Sequence, residues 1–197
     1  VLYHEYTHNI NARLYKQLGS EEGMINLDCN EGTADLGAAL IVKDPRMGVG
    51  YLTSDTTSYL RNLVNDYVYP NDLESDSHFN GQILSGSFWD LMGKTSQDYV
   101  EHISHFAKYG SPDDADVGIA FGEWFIETLI ADDDDENLSN GTPNDMAIIE
   151  SFNNHQIGTD LLVAVSFSHN NLPDSEDTLN AYTVPFTLAS KIAIMEK

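Results

Sequence analysis

His4, Glu5 and His8 stand near the start of the chain in the order H-E-x-x-H. On a helix, residues four apart share one face, so His4 and His8 can offer two imidazole nitrogens to one metal ion. Glu5 falls on the adjoining edge, where its carboxylate reaches a water in the ion's open position and can act as that water's general base. The chemistry of this pattern is metal-assisted hydrolysis. Hydrolytic zinc usually takes three protein ligands, so a third must come from another element. Glu31 is the candidate, in the run Asn30-Glu31-Gly32-Thr33-Ala34-Asp35. Asp35 lies four residues further on. If that run is helical, both carboxylates face the first helix, Glu31 toward the metal and Asp35 toward the outer N–H of a ligating histidine, whose tautomer it would fix.

The elements that must position these residues follow from periodicity and from stop signals. Val1 to Leu18 reads as a helix, with Tyr3, Tyr6, Ile10, Leu14 and Leu18 as its apolar stripe and Gly19 as its stop. A second helix is expected from about Cys29 to Lys43, ending ahead of Pro45. Its small residues Gly32, Ala34, Gly37, Ala38 and Ala39 let the two backbones approach closely. Arg46 to Thr53 reads as a glycine-containing loop. A further helix is expected from Ser54 or Asp55 to Val68, with Tyr59, Leu60, Leu63, Val64, Tyr67 and Val68 inward. Pro70 to Asn80 is polar and turn-rich, a surface loop with His78 near its end, and Asp76 and Glu74 are both placed to orient that histidine.

Helices are then expected over Gly81 to Met92, from Ser96 through Ala107, over Asp113 to Ala131, and from a Thr142 cap with Pro143 in the first turn. Met146, Ile148, Ile149 and Phe152 would face inward on the last. Beyond Thr159, Leu161 to Phe167 and Tyr182 to Leu188 are short β-prone runs. The expected organisation is therefore a mainly α unit over residues 1–158, followed by a β-prone tail or the start of a further domain over 159–197.

The residues His4-Glu5-Tyr6-Thr7-His8, then Glu31-Gly32-x-x-Asp35, then His78 ahead of a helix containing Gly and Trp, resemble the thermolysin-like zinc metallopeptidases with a glutamate ligand, in their fungalysin-type branch. The resemblance spans about residues 1 to 155. It implies the helical, metal-bearing half of a thermolysin-like fold, with His4, His8 and Glu31 as zinc ligands and Glu5 as catalytic base. It also implies that His78 steadies the oxyanion, that the substrate is a protein or peptide, and that the protein is secreted or at the cell surface. Val1 falls inside the expected site helix, so the chain is expected to be part of a longer one. In the family resembled, a β-rich lobe precedes this helix and forms one wall of the cleft.

With 9 Lys and Arg against 32 Asp and Glu, the net charge is −23. Such a surface repels nucleic acid and anionic membrane and favours cations. No apolar run is long enough to span a bilayer. Cys29, the single cysteine, cannot form an internal disulfide. His102 and His105 lack an acidic or thiol partner at ligand spacing.

Asp132 to Asp135 concentrates negative charge that either water and salt screen or a hard cation such as calcium gathers. The EF-hand pattern fails here, because Leu138 stands where Gly is needed and Asn144 where the bidentate Glu belongs. A calcium site of another kind stands as the alternative to a solvated run, prompted also by the calcium use of the peptidases resembled. Two other functions compete with the enzyme: a catalytically inactive peptidase-like binding module, and a structural calcium-binding module in which H-E-x-x-H is incidental.

Overall fold

The computed structural model describes residues 1–53, 55, 57–158, 165–169 and 186–190. The chain forms two compact units, Val1–Gly158 and Thr159–Lys197. The first is mainly helical: α1 (Leu2–Gln17), α2 (Leu27–Val42), α3 (Ser77–Lys94), α4 (Gln97–Phe106), α5 (Val117–Asp132) and α6 (Asp145–Asn154). A two-stranded antiparallel pair, β1 (Arg46–Met47) and β2 (Arg61–Asn62), is the sheet described within it. In the second unit β3 (Val165–His169) pairs antiparallel with β4 (Phe186–Ser190), Val165 opposite Ser190. Residues 161–164 and 182–185, also expected to be β-prone, lie outside the described residues.

Side-chain caps start most of the helices. Asn26 accepts from the Cys29 N–H at α2, Asp76 from that of His78 at α3, Ser96 from that of Tyr99 at α4, and Asp116 from those of Gly118 and Ile119 at α5. Each satisfies N–H groups that have no partner inside a first turn. The core lies where α3, α5 and α6 meet. Phe88 packs edge-on against Trp124 and Phe152 at ring separations of 5.9 and 5.2 Å, and Phe125 lies 5.5 Å from Phe152. Trp124, Phe88 and Phe152 are fully buried, and edge-to-face pairs of this kind add to the burial of large apolar rings.

Two glycine contacts set the three helices that carry the site. A Cβ on Gly32 would stand 2.5 Å from the Gly81 carbonyl oxygen, so α2 and α3 touch backbone to backbone. A Cβ on Gly37 would stand 2.5 Å from Thr7 Oγ1, so the α2 backbone there packs directly against an α1 side chain. Gly37 therefore serves the α1 contact expected from the small-residue run, whereas Gly32 serves α3. The consequence is local. Glu31 is next to Gly32, and His78 lies one turn before Gly81, so the closest approach of α2 and α3 also brings these two side chains together.

The expected face of α1 is corrected. Tyr3, Tyr6 and Leu18 are exposed, and the buried face carries His4, Thr7, Asn11 and Leu14. Three of those four are polar, and they are held by bonds that apolar periodicity does not report: Asn11 Nδ2 donates to Thr33 Oγ1 at 2.9 Å, and the Thr7 hydroxyl donates to the Tyr3 carbonyl at 2.9 Å.

The helix expected over residues 54–68 is absent. Ser54, one of its two expected caps, lies outside the described residues. Asp55 instead accepts from the Thr57 N–H, Asn62 from that of Val64, and Asn65 from that of Tyr67. Side chains that capture the backbone two residues ahead compete directly with helical bonding. Tyr59, Leu60 and Val64 are exposed, while Leu63 is buried and its N–H donates to the Pro45 carbonyl at 2.9 Å.

Smaller corrections concern helix ends. The helix expected from Gly81 begins one turn earlier, at Ser77, and takes His78 out of the loop. Thr142 caps no helix: α6 starts at Asp145, the Thr142 hydroxyl donates to Asp132 at 2.6 Å, and Met146 is exposed.

Candidate metal centre

His4, His8 and Glu31 converge. His4 Nε2 lies 3.1 Å from Glu31 Oε2, His8 Nε2 lies 3.4 Å from it, and the two Nε2 atoms are 3.0 Å apart. Each imidazole is oriented from behind. His4 Nδ1 donates to Asp35 Oδ1 at 2.7 Å, and His8 Nδ1 donates to Asn30 Oδ1 at 2.9 Å. With Nδ1 carrying the proton in each ring, both Nε2 atoms turn a lone pair toward Glu31. Asp35 is held in turn by Arg61, whose Nε and Nη2 reach its two oxygens at 2.6 and 2.8 Å. It is almost fully buried, at 1% exposure, where a carboxylate requires this kind of pairing.

Glu31 Oε2 is buried and receives no hydrogen bond among the described residues. Three acceptor atoms thus face one another with nothing donated between them, an arrangement that only a proton or a cation relieves. The dimensions suit an ion. Zinc bound to nitrogen or oxygen at about 2.0 to 2.1 Å in a tetrahedron separates its ligands by about 3.3 Å, close to the three spacings seen here. Two imidazoles, each oriented by an outer partner, and one carboxylate form a donor set that zinc accepts.

Electrostatics describe the same site without the ion. Burial lowers the pKa of His4, but Asp35 and Glu31 more than offset it and raise the imidazole to about 9. The Glu31 carboxylate beside it raises His8 against the opposing effect of burial. Burial works to raise Glu31, yet His4 and His8 together hold it well below the usual carboxylate range. The raised imidazoles and the lowered carboxylate both favour a proton on the histidine pair in the metal-free chain.

His78 stands at the rim of the cluster. Its half-exposed ring is nearly parallel to that of His4, with centroids 6.3 Å apart, and its Nε2 lies 3.3 Å from Glu31 Oε2. Of its two possible orienting acids the contact is with Asp76, whose Oδ1 is 3.2 Å from His78 Nδ1; the Glu74 N–H is instead bound to Asn80 Oδ1. Glu5 lies in the first turn of α1 and is exposed, with no hydrogen bond or ion pair to its carboxylate among the described residues.

Two residues of this centre escape sequence reasoning. Asn30 is adjacent to Glu31 and could have been read as a second partner for the imidazole pair. Arg61 sits in a segment whose apolar spacing suggested helix. Its signal was scarcity, since only 9 Lys and Arg stand among 32 acids.

The aspartate run behaves differently. Asp132 turns inward as a structural acceptor, while Asp133, Asp134 and Asp135 can bring one oxygen each within 4.8 Å of one another. His102 and His105 pack on the Phe106 ring, at 4.4 and 5.3 Å. Cys29 is buried, and burial raises its thiol pKa well above the ordinary value, which leaves it unreactive. No helix among the described residues is long and apolar enough to cross a membrane. No protein-family model, no curated protein and no solved structure matches the chain.

Proposed function

We propose that the chain is the metal-bearing part of a zinc-dependent peptidase, with a protein or peptide as substrate. The observation that carries this reading is the convergence of two lone-pair nitrogens and one unbonded carboxylate oxygen at spacings of 3.0, 3.1 and 3.4 Å. His4, His8 and Glu31 would hold the ion. When bound, zinc supplies Lewis acidity that makes a water nucleophilic near neutral pH.

The remaining chemistry belongs to side chains. Glu5, exposed next to His4, takes the proton of the attacking water and delivers it to the leaving amine, so that the amine departs neutral. His78 donates through Nε2 to the carbonyl oxygen as negative charge develops there, and Asp76 at its Nδ1 keeps the ring turned the right way. Asp35 and Asn30 fix the tautomers of His4 and His8, and Arg61 holds Asp35 in place. The acidic run from Asp133 to Asp135 is proposed only as a weak surface site for calcium, apart from this chemistry.

The test is Glu5→Gln in the zinc-loaded protein. The amide keeps the size of the side chain but cannot accept a proton, so casein hydrolysis should fall by about 100-fold or more while the zinc content stays at the parent level. Hydrolysis at the parent rate would remove Glu5 as the base.

A further inference from the structure

Beside the metal centre lies a cleft of about 690 Å³. Arg61 and His78 both line it, so it is bordered by the side chain that pins Asp35 and by the one placed to meet the oxyanion. Tyr59 and Tyr67 contribute aromatic surface. Three carboxylates, Asp66, Asp72 and Asp76, contribute negative charge. The one arginine in the lining is already matched, because both oxygens of Asp35 engage it.

The three carboxylates are not equivalent. Asp76 accepts from the His78 N–H and Asp72 from the Val68 N–H, so part of their hydrogen-bonding capacity is committed to the backbone. Asp66 is exposed and makes no hydrogen bond or ion pair among the described residues. Carboxylates in a row would by themselves be an ordinary solvated surface. What distinguishes these is the concavity between them and its continuity with the residues around the metal centre. A concave wall of one charge sign focuses potential and concentrates the opposite sign, and a tyrosine face adds attraction for a cation. The volume is that of a site for a small ligand or a long side chain.

We propose that this cleft receives a basic side chain, lysine or arginine, of the peptide next to the bond to be cut, and that Asp66 is the residue that selects it. The inference deepens the peptidase reading and rests on it. An incoming ammonium or guanidinium pairs with Asp66, lies against the Tyr59 ring and leaves the Arg61–Asp35 pair undisturbed. A glutamate at the same position meets the like charge of Asp66, Asp72 and Asp76 while the one arginine is already paired, which discriminates against it more sharply than lost contacts would.

The experiment uses the whole zinc-loaded chain and fluorogenic peptides identical except at one residue, Lys, Gln or Glu, moved in turn through each position flanking the cleaved bond. At one position the lysine peptide should exceed the glutamine peptide in kcat/KM by about fivefold at low salt, as expected for a partly exposed ion pair. The ratio should shrink as ionic strength rises. Asp66→Asn should bring it close to one, and Asp66→Lys should turn the preference toward glutamate. Equal rates for lysine and glutamine at every position, or a preference untouched in both variants, overturn the assignment. If no peptide is cleaved at all, the peptidase reading has failed on its own. Fluorescence anisotropy of the same labelled peptides then decides the cleft: tighter binding of lysine than glutamine that Asp66→Asn removes supports it, and equal binding overturns it.

Discussion

Glu31 and Asp132 are both carboxylates drawn into the helical unit, and their surroundings are opposite. Asp132 receives the Tyr99 hydroxyl at 2.6 Å, the Thr142 hydroxyl at 2.6 Å, the Asn144 N–H at 2.6 Å and Asn144 Nδ2 at 2.8 Å. Every donor is neutral and every one comes from another part of the chain, so this carboxylate ties α4, the end of α5 and the approach to α6 together. Glu31 Oε2 faces three imidazole nitrogens between 3.1 and 3.4 Å and receives a hydrogen bond from none. The difference teaches how to separate two roles that look alike in composition. A carboxylate surrounded by donors is structural, whereas one that faces the lone pairs of two oriented imidazoles fits the metal role proposed above.

The largest break in this comparison is Glu31→Gln. It removes the only carboxylate among the three proposed ligands, and zinc affinity should fall by more than about 100-fold, beyond what loss of an outer partner costs. Metal retained after dialysis against a competing chelator measures it; retention at the parent level would show that Glu31 is not a ligand.

Asp132→Ala should act on folding and leave zinc uptake unchanged. Four donors lose their acceptor, and the destabilisation should be about 2 to 4 kcal/mol in urea unfolding. A loss below about 0.5 kcal/mol would make Asp132 another surface acid, while loss of zinc would erase the distinction between the two regions.

The smallest effect is in pH, and it has opposite signs in the two places. The His4 imidazole is raised to about 9 by its carboxylate partners against the effect of burial. In the metal-free chain its contribution to stability is complete below the unfolded value of about 6.5 and is lost as pH rises toward 9. Burial tends to raise Asp132, but its hydrogen bonds from Thr142, Tyr99 and Asn144 lower it. Its contribution is present above the unfolded value of about 3.9 and disappears as pH falls below that. Zinc must displace the His4 proton, so uptake at pH 7.5 should release about one proton or more. Calorimetry in buffers of different ionisation enthalpy reads that number, and zero release would contradict the raised His4 pKa.

Much of the candidate site was legible because it is local. His4, Glu5 and His8 lie within one helical turn of one another, and Glu31 and Asp35 within another, so helix geometry alone aligned each set. The His4–Asp35 bond at 2.7 Å follows from those two periodicities and the approach of two helices. Arg61 was not legible, because its place depends on a β1–β2 pairing and on asparagine side chains that capture their own backbone. The tyrosines of α1 misled for a related reason. The helix buries a polar face that its partners satisfy, and apolar spacing is silent about hydrogen bonds.

By itself the sequence determined which residues could hold a metal, the two helices that carry His4, His8 and Glu31, and the strongly acidic surface, because helix periodicity is set by neighbours within a few positions and charge by composition alone. Only the tertiary structure decided that, among the described residues, Glu31 Oε2 lacks a donor and Asp66 a partner, that Arg61 locks Asp35, that Asp76 rather than Glu74 meets His78, and that a cleft opens beside them. Those facts depend on how closely α1, α2 and α3 approach. That distance is fixed by contacts at Gly32, Gly37 and Gly81, between residues far apart in the chain.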